Sequence, residues 1–546
     1  MLYPLSYEGQ DQKLYRATDD TPRAVLREVF GYEAFRGEQA EIIDHVTGGG
    51  SAFVLMPTGG GKSLCYQVPA IVRHRAGLGV TIVVSPLIAL MQDQVNALET
   101  AGVHAAFLNS SLSRTGSQQV ETRLRAGELS ILYAAPERVT QEGFLYQLDR
   151  LVDTSGLSLF AIDEAHCVSH WGHDFRAEYL KLALLADRYP TVPRVALTAT
   201  ADEQTREDIV ERLRLESARR FIASFDRPNI RYTVVERTKA QPQLVDFMKS
   251  HRGEAGIVYC STRKKVETVT GWLLAAGVPA LPYHAGLDQH TRSVNQDVFA
   301  LNDGIVIVAT IAFGMGIDKA EVRFIAHLDL PKNIESYYQE TGRAGRDGLP
   351  AETWMIYGLG DVVQQRRLIA ENTAQAEWKR IQRHKLDALL ALVETHTCRR
   401  VELLSYFGEE SKPCGNCDNC LDPPTTWDAT EAARKALSSV IRVRHGGGRA
   451  VAYGFAYHIE LLVGKRSERV IANRHNELST FGIGTDLSEE QWRAVFRRLI
   501  ALGVLEAQGE YGTLALTDEA GPVLRGEQPI LLREVTPSRK RSRRRR

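Results

Sequence analysis

Short apolar runs of four to seven residues punctuate the first two-thirds of this chain. Each ends near hydroxyl, acidic or glycine residues and is followed by a longer helical pattern. Ala52–Met56, Thr81–Val84, Leu157–Ile162 and Val195–Ala201 make a first series. Gly256–Cys260, Ala280–His284 and Ile305–Ala309 make a second. Unbroken apolar runs of this length suit strands buried on both faces of a parallel sheet, with helices as crossovers. The pattern therefore predicts an α/β fold with two tandem parallel-sheet lobes, whose ligands sit at the carboxyl edges of the strands. Beyond them the pattern turns helical at Trp378–Glu394. After Pro423-Pro424 it predicts helices near Ala432–Arg444, Tyr457–Leu462, Asn473–Leu478 and Glu489–Leu502. A hairpin follows from Val504–Ala507 and Thr513–Leu516, turning at Gly509–Gly512. Helices closed by a hairpin read as an α+β winged helix.

At 546 residues the chain calls for three or four domains. It has no apolar run of 18 residues, and Met1-Leu2-Tyr3-Pro4 does not open a signal peptide, so a cytoplasmic protein without membrane contact is expected. The formal charge of zero conceals an asymmetry. Seven basic side chains lie within Arg539–Arg546, so the rest of the chain carries seven surplus acidic ones. Nucleic-acid binding would have to come from local patches. The tail itself reads as disordered: a phosphate-binding segment, a localisation patch or part of a longer unit.

The first candidate site follows the first apolar run. Thr58-Gly59-Gly60-Gly61-Lys62-Ser63 stands between a strand and a helix, the setting of a phosphate loop, although Met56 replaces the glycine that usually opens the pattern. Backbone N–H groups and the helix dipole would receive phosphates, Lys62 would reach the β and γ oxygens, and Ser63 would hold Mg²⁺. Asp163-Glu164-Ala165-His166 closes a later strand. There Asp163 suits the magnesium shell and Glu164 the attacking water. Thr198 and Thr200 end another strand, where they could relay hydrolysis or simply cap it. The second series has no phosphate loop but ends in Gln339-Glu340-Thr341-Gly342-Arg343-Ala344-Gly345-Arg346. Arginines three apart are expected on one face of a helical turn. Arg346 is favoured as the finger for the γ-phosphate, with Arg343 as a second contact.

At this point the chain resembles the RecQ family of superfamily 2 DNA helicases, bacterial type, over most of residues 25–525. The motifs carrying the likeness are Phe30–Gln39, the phosphate loop, the DEAH box and Ser169-His170-Trp171-Gly172-His173-Asp174-Phe175-Arg176. Ser85–Gln94, Phe225-Asp226-Arg227-Pro228-Asn229, His284-Ala285-Gly286 and Thr310–Lys319 extend it. The resemblance implies RecA-like motor lobes, adenine reading by Gln39 with Arg36 beside it, and an aromatic-rich loop coupling single-stranded DNA to ATP hydrolysis. Gly37-Glu38 departs from the Pro-Gly usual before Gln39. In the loop, Trp171 and Phe175 offer faces for bases, worth about 1–3 kcal/mol each, and Arg176 offers a cation; Phe175 equally suits core packing. His166 and His170 match family positions between loop and ATP site.

Cys398, Cys414, Cys417 and Cys420 form a separate cluster, while Cys65, Cys167 and Cys260 read as reduced core residues. Four thiolates at this spacing favour tetrahedral Zn²⁺; an iron–sulfur cluster is the metal alternative. Lys465 and Arg466 offer either a duplex-binding edge or an ordinary solvated helix start. Tyr511, at the hairpin tip, is a candidate strand-separating wedge. The expected units are an N-terminal extension (1–24), lobe 1 (25–222), lobe 2 (223–360), a zinc-binding helical subdomain (361–425), a winged helix (426–525) and a basic tail (526–546). The family's helical HRDC domain is not evident.

The expected function is ATP-dependent unwinding of DNA with 3′→5′ movement on a single strand, the direction being implied by the resemblance. Single-stranded DNA and strand junctions are the expected partners, with single-stranded-DNA-binding and recombination proteins beside them in a nucleoid setting. An RNA helicase and a non-enzymatic DNA-binding scaffold are the alternatives. Stimulation of hydrolysis by single-stranded DNA but not RNA separates the three.

Overall fold

A computed structural model describes residues 21–172, 175–314, 319–445, 452–508 and 512–534. Seven strands form the first sheet: β1 (Ala52–Leu55), β2 (Val80–Val84), β3 (Ala105–Leu108), β4 (Ile131–Ala134), β5 (Leu157–Ile162), β6 (Arg194–Thr198) and β7 (Arg219–Ile222). They are ordered β3-β4-β2-β5-β6-β1-β7 and all neighbours are parallel. The strand alternation divides the core. Phe53 and Leu55 of β1 pack in one apolar cluster, Ala52 and Val54 in another on the opposite face. Both faces are dry, so the strands lack polar alternation and could be read from sequence as continuous apolar runs.

The second lobe repeats this plan with β8 (Ile230–Glu236), β9 (Gly256–Tyr259), β10 (Ala280–Tyr283), β11 (Val306–Ala309), β12 (Phe324–His327) and β13 (Ala351–Tyr357). Their order is β10-β11-β9-β12-β13-β8, again all parallel. The largest core cluster runs without interruption from Phe53 in lobe 1 through Tyr337 and Leu389 to Trp492 and Leu532. Phe225, in the segment joining the lobes, stacks on Phe407 at 4.3 Å between ring centroids and meets Tyr338 edge-on at 5.7 Å. The lobes and the helical subdomain therefore share one seam. No helix among the described residues is long and apolar enough to cross a membrane.

The helix Ala376–Glu394 leads into the cysteine cluster, and helices Thr430–His445, Phe455–Leu462 and Glu489–Ala501 follow. The expected helix at Asn473–Leu478 is not continuous. A helix occupies Glu468–Ala472, Arg474 then takes a left-handed backbone (φ 55°), and only a 3₁₀ turn remains at His475–Glu477. Strands Leu505–Gln508 and Thr513–Leu516 make the hairpin. A further strand, Leu531–Arg533, pairs antiparallel with Thr426–Asp428 and buries Ile530 and Leu532. Residues 526–534 thus pack with the winged helix instead of opening the basic tail, because the distant strand Thr426–Asp428 supplies their partner. The remaining tail lies outside the described residues.

Candidate nucleotide cleft and its neighbours

The carboxyl ends of β1, β5 and β6 converge on one cleft of about 840 Å³, whose walls include Lys62, Ser63, Asp163 and Glu164 from lobe 1 and Arg343 and Arg346 from lobe 2. β1 gives way at Pro57 to the glycine turn. Gly59 (φ 80°) and Gly61 (φ 75°) adopt left-handed conformations that side chains other than glycine's resist. The helix Leu64–Arg75 then presents its N-terminus to the cleft. Lys62 Nζ donates to the carbonyls of Met56 (3.2 Å) and Pro57 (3.4 Å), so the ammonium rests on its own loop. Burial lowers its pKa, while Glu164 and Asp163 pull the other way.

Asp163 ends β5 with its N–H on Val84 O at 2.9 Å. Burial, reinforced by the Glu164 carboxylate, pushes Asp163 up to about 7, with Lys62 opposing. Two acids this close in a dry site oppose joint ionisation, and a cation between them would remove the penalty. Glu164 sits at φ 48°, a left-handed strain of the kind that accompanies functional sites. His166 Nδ1 lies 2.9 Å from Thr198 Oγ1 and 3.3 Å from Glu164 Oε2. The box is thereby tied to the threonines at the end of β6. Gln339 Nε2 donates to Thr200 Oγ1 at 3.1 Å from across the lobe boundary.

Arg343 and Arg346 reach the cleft by a different route from the one expected. The helix Ile334–Thr341 ends at Gly342, and Gly345 turns left-handed (φ 56°). The two arginines therefore stand on a turn beyond the helix, where glycine breaks it, and not on a helical face. Arg346 lies across Gly59: a methyl group at Gly59 would meet Arg346 Cγ at 3.0 Å. Arg343 donates to the carbonyl of Gly314. Gly342 approaches so closely that an added Cβ would stand 2.0 Å from Thr58 Oγ1.

Arg227, from the joining segment, locks this approach. Its Nη1 donates to Thr58 O and to Gly342 O, both at 3.0 Å, and its Nη2 to Ala344 O (2.9 Å) and Gly345 O (3.0 Å). One planar guanidinium thus joins the phosphate loop to the arginine turn, a geometry that lysine's single nitrogen cannot match. Gln39 is also a loop holder here. Its Nε2 donates to Gly60 O (2.9 Å) and Gly61 O (3.3 Å), and its Oε1 accepts from Arg36 N (2.8 Å). Both Arg36 and Gln39 border the cleft.

In the aromatic-rich segment, His170 is exposed and Trp171, Phe175 and Arg176 are half-buried. The His170 and Phe175 rings stack at 3.8 Å, so Phe175 faces a polar ring and not the core. Arg176 Nη1 donates to Pro86 O at 3.0 Å. His173 and Asp174 lie outside the described residues. Lys385, from the helix Ala376–Glu394, donates to the carbonyl of Trp171 and pairs with Glu335 at 2.6 Å.

The four cysteine sulfurs all lie within 4.8 Å of one another. Two pairs, Cys398–Cys417 and Cys414–Cys420, stand 4.0 Å apart, close to the ~3.8 Å edge of a tetrahedron with metal–sulfur bonds of about 2.3 Å. Cys398 Sγ accepts from Cys414 N (3.3 Å), and Cys414 Sγ from Asn416 N (3.4 Å) and Cys417 N (3.3 Å). Burial raises the Cys398 pKa, but the backbone N–H groups of Cys414 and Val401 together with the thiols of Cys414 and Cys420 outweigh it and bring the thiol to about 7. Four sulfurs in a cage of tetrahedral size fit Zn²⁺.

Models of known families match the chain in series: DEAD/DEAH box helicase over 36–209, helicase conserved C-terminal domain over 239–348, RecQ zinc-binding over 359–421 and RQC domain over 423–541. An ATP-dependent DNA helicase RecQ of Pasteurella multocida is 47% identical over 93% of this chain and 78% of its own length. That of Bacillus subtilis is 38% identical over 94% and 85%. The chain belongs to the RecQ family of DNA helicases. A solved structure of Mss116p bound to ssRNA and AMP-PNP shares the fold, at TM-score 0.53 and 13% identity, over 70% of this chain and 83% of that one.

For this RecQ chain the phosphate-loop, acidic and arginine residues of the two lobes gather in one cleft, whereas Lys465 and Arg466 do not line it. Lys465 and Arg466 are exposed in the turn between Phe455–Leu462 and Glu468–Ala472, with Lys465 N on Glu460 O at 2.8 Å. Tyr511 lies outside the described residues. Reading by motif placed Arg227 within Phe225-Asp226-Arg227-Pro228-Asn229 but not its partners, and gave no signal for the Lys385–Glu335 pair, since the partners are 50 to 214 residues away.

Proposed function

We propose that this RecQ helicase converts ATP hydrolysis into 3′→5′ movement on single-stranded DNA by opening and closing the cleft between its lobes. The observation that carries this reading is Arg346 lying across Gly59, beside Lys62 and Asp163. In the proposed cycle Lys62 and the loop N–H groups bind the β- and γ-phosphates. Asp163 and Ser63 would hold Mg²⁺, which supplies charge neutralisation to the phosphates when bound. Glu164 orients and polarises the attacking water, with His166 holding its carboxylate. Arg346 stabilises charge developing on the γ-phosphate, and Arg343 makes the second contact. Loss of the γ-phosphate then removes the anion that draws the arginine turn onto the loop, and the lobes part.

The aromatic-rich segment supports the DNA side of this reading. Trp171 and Phe175 stack with bases and Arg176 meets the backbone, which gives grip without sequence preference. Zn²⁺ held by Cys398, Cys414, Cys417 and Cys420 fixes the helical subdomain. Lys465, Arg466 and Tyr511 belong to the proposed duplex-facing side. Unwinding in recombination and repair brings single-stranded-DNA-binding and recombination proteins into reach as partners, in a nucleoid-associated setting. The RNA-helicase and scaffold readings retain only the shared two-lobe fold. ATP hydrolysis measured with single-stranded DNA, RNA or neither, alongside unwinding of a 3′-tailed and a 5′-tailed duplex, tests the proposal. Hydrolysis raised by DNA and unwinding of the 3′-tailed substrate alone are expected. Equal stimulation by RNA, or preference for the 5′ tail, would overturn it.

A further inference from the structure

Lys385 and Glu335 are each 1% exposed, and their charged atoms stand 2.6 Å apart. The same ammonium donates to the backbone carbonyl of Trp171. The other Glu335 oxygen, Oε1, lies 3.2 Å from Tyr406 Oη, which also lies 3.4 Å from Asp202 Oδ2. Asp202 in turn caps the helix Glu203–Arg212 by accepting from Thr205 N at 2.8 Å. The aromatic-rich loop and Asp202 come from lobe 1, Glu335 from lobe 2, and Lys385 and Tyr406 from two helices of the zinc subdomain. One buried polar junction therefore joins three units.

Stability is a weak reason for such a pair. Desolvation offsets most of the attraction, and apolar replacements of buried ion pairs are often neutral or stabilising. Its position is more telling. Glu335 stands in the first turn of the helix Ile334–Thr341, and that helix ends where Gly342 releases Arg343 and Arg346 into the cleft. From Glu335 to the helix end at Thr341 is about 9 Å of helical rise, short enough to move as one rigid element, and Arg343 stands two residues beyond it. Gln339, on the same helix, holds Thr200 at 3.1 Å. Because the loop is grasped by a backbone carbonyl, the Trp171 side chain stays available to bases. Displacing that carbonyl removes a partner from an ammonium that has no water to replace it, so the cost falls on the bond to Glu335.

We propose that Lys385 is a positioning residue for the motor: through Glu335 it transmits the state of the aromatic-rich loop to the Arg343–Arg346 turn. The helix Ala376–Glu394 is then a strut between the DNA track and the ATP cleft, and the zinc cluster anchors that strut. This inference rests on the helicase reading above.

The test uses the full chain carrying Lys385→Met together with Glu335→Gln, which keeps the junction neutral and similar in volume. Hydrolysis is measured with and without a single-stranded thymidine oligonucleotide, with oligonucleotide affinity, zinc content and thermal midpoint alongside. Expected are basal turnover and affinity equal to the parent's, with the stimulation ratio reduced about tenfold. A merely structural role would lower midpoint and basal turnover together and leave the ratio unchanged. An unchanged ratio overturns the proposal. Should the double variant lose its zinc or its transition, Tyr406→Phe decides, since it removes one hydroxyl: a reduced ratio supports the strut and an unaltered ratio overturns it. A parent without DNA-stimulated hydrolysis overturns the helicase reading and this inference together. A stimulated parent with an equally stimulated variant overturns only the latter.

Discussion

At the scale of single residues, the cleft separates chemistry from placement. Glu164 is held by a left-handed backbone and by His166, so removing its charge leaves the phosphate loop intact. Glu164→Gln is expected to lower ATP turnover by about 10²–10⁴ while a fluorescent ATP analogue still binds, as steady-state rates and fluorescence titration would reveal. Arg346→Ala should cost about 10³ or more in turnover, the range of an arginine finger, with nucleotide affinity less affected. Gly342 meets a different constraint. An added methyl would collide with Thr58, and the collision involves the loop itself, so Gly342→Ala should hold the cleft ajar. Hydrolysis then falls although every catalytic side chain remains; DNA-stimulated turnover equal to the parent's would contradict this.

At the scale of elements, two modules answer to different reagents. The cysteine cluster lies within 4.8 Å, and small zinc modules draw about 10–16 kcal/mol from the metal. Chelation, or Cys417→Ala, should therefore abolish the folded state of the subdomain, seen as loss of a protease-resistant fragment together with zinc release. The winged helix instead responds to acid. His458 is buried beside Ser439 and Phe496, and burial depresses its pKa to about 4 from an ordinary value of 6.5. Above pH 6.5 the imidazole is neutral in folded and unfolded chains alike. As pH falls towards 4 the unfolded chain takes up the proton first, so stability is lost across that window, by roughly 3 kcal/mol when complete. Thermal midpoints recorded from pH 7 to 4 should fall, and His458→Asn should flatten that slope; parallel slopes would contradict the assignment.

At the scale of the whole molecule, the lobes meet through backbone carbonyls gathered by Arg227 and through the shared aromatic seam at Phe225. Lysine in place of Arg227 keeps the charge but not the fork, so it should weaken closure without altering the phosphate loop. The expected signature is nucleotide affinity near the parent's with DNA-stimulated turnover reduced about tenfold. Turnover unchanged in Arg227→Lys would show that the guanidinium fork is not needed for closure.

Much of this was legible in the chain itself, for a physical reason. A phosphate loop, a strand-end acid pair and a four-cysteine cage each arise within a few residues or at one short spacing, so local backbone geometry delivers the ligands together. Buried parallel strands announce themselves as apolar runs because both their faces are dry. Tertiary structure alone decided where partners are distant. It turned Arg343 and Arg346 out of a helix at Gly342 and spent the Gln39 amide on the loop. It paired Leu531–Arg533 with Thr426–Asp428, and brought Arg227 and Lys385 to carbonyls 169 and 214 residues away. Side-chain type records that such a group must find a partner when buried, but only packing of the completed lobes says which one.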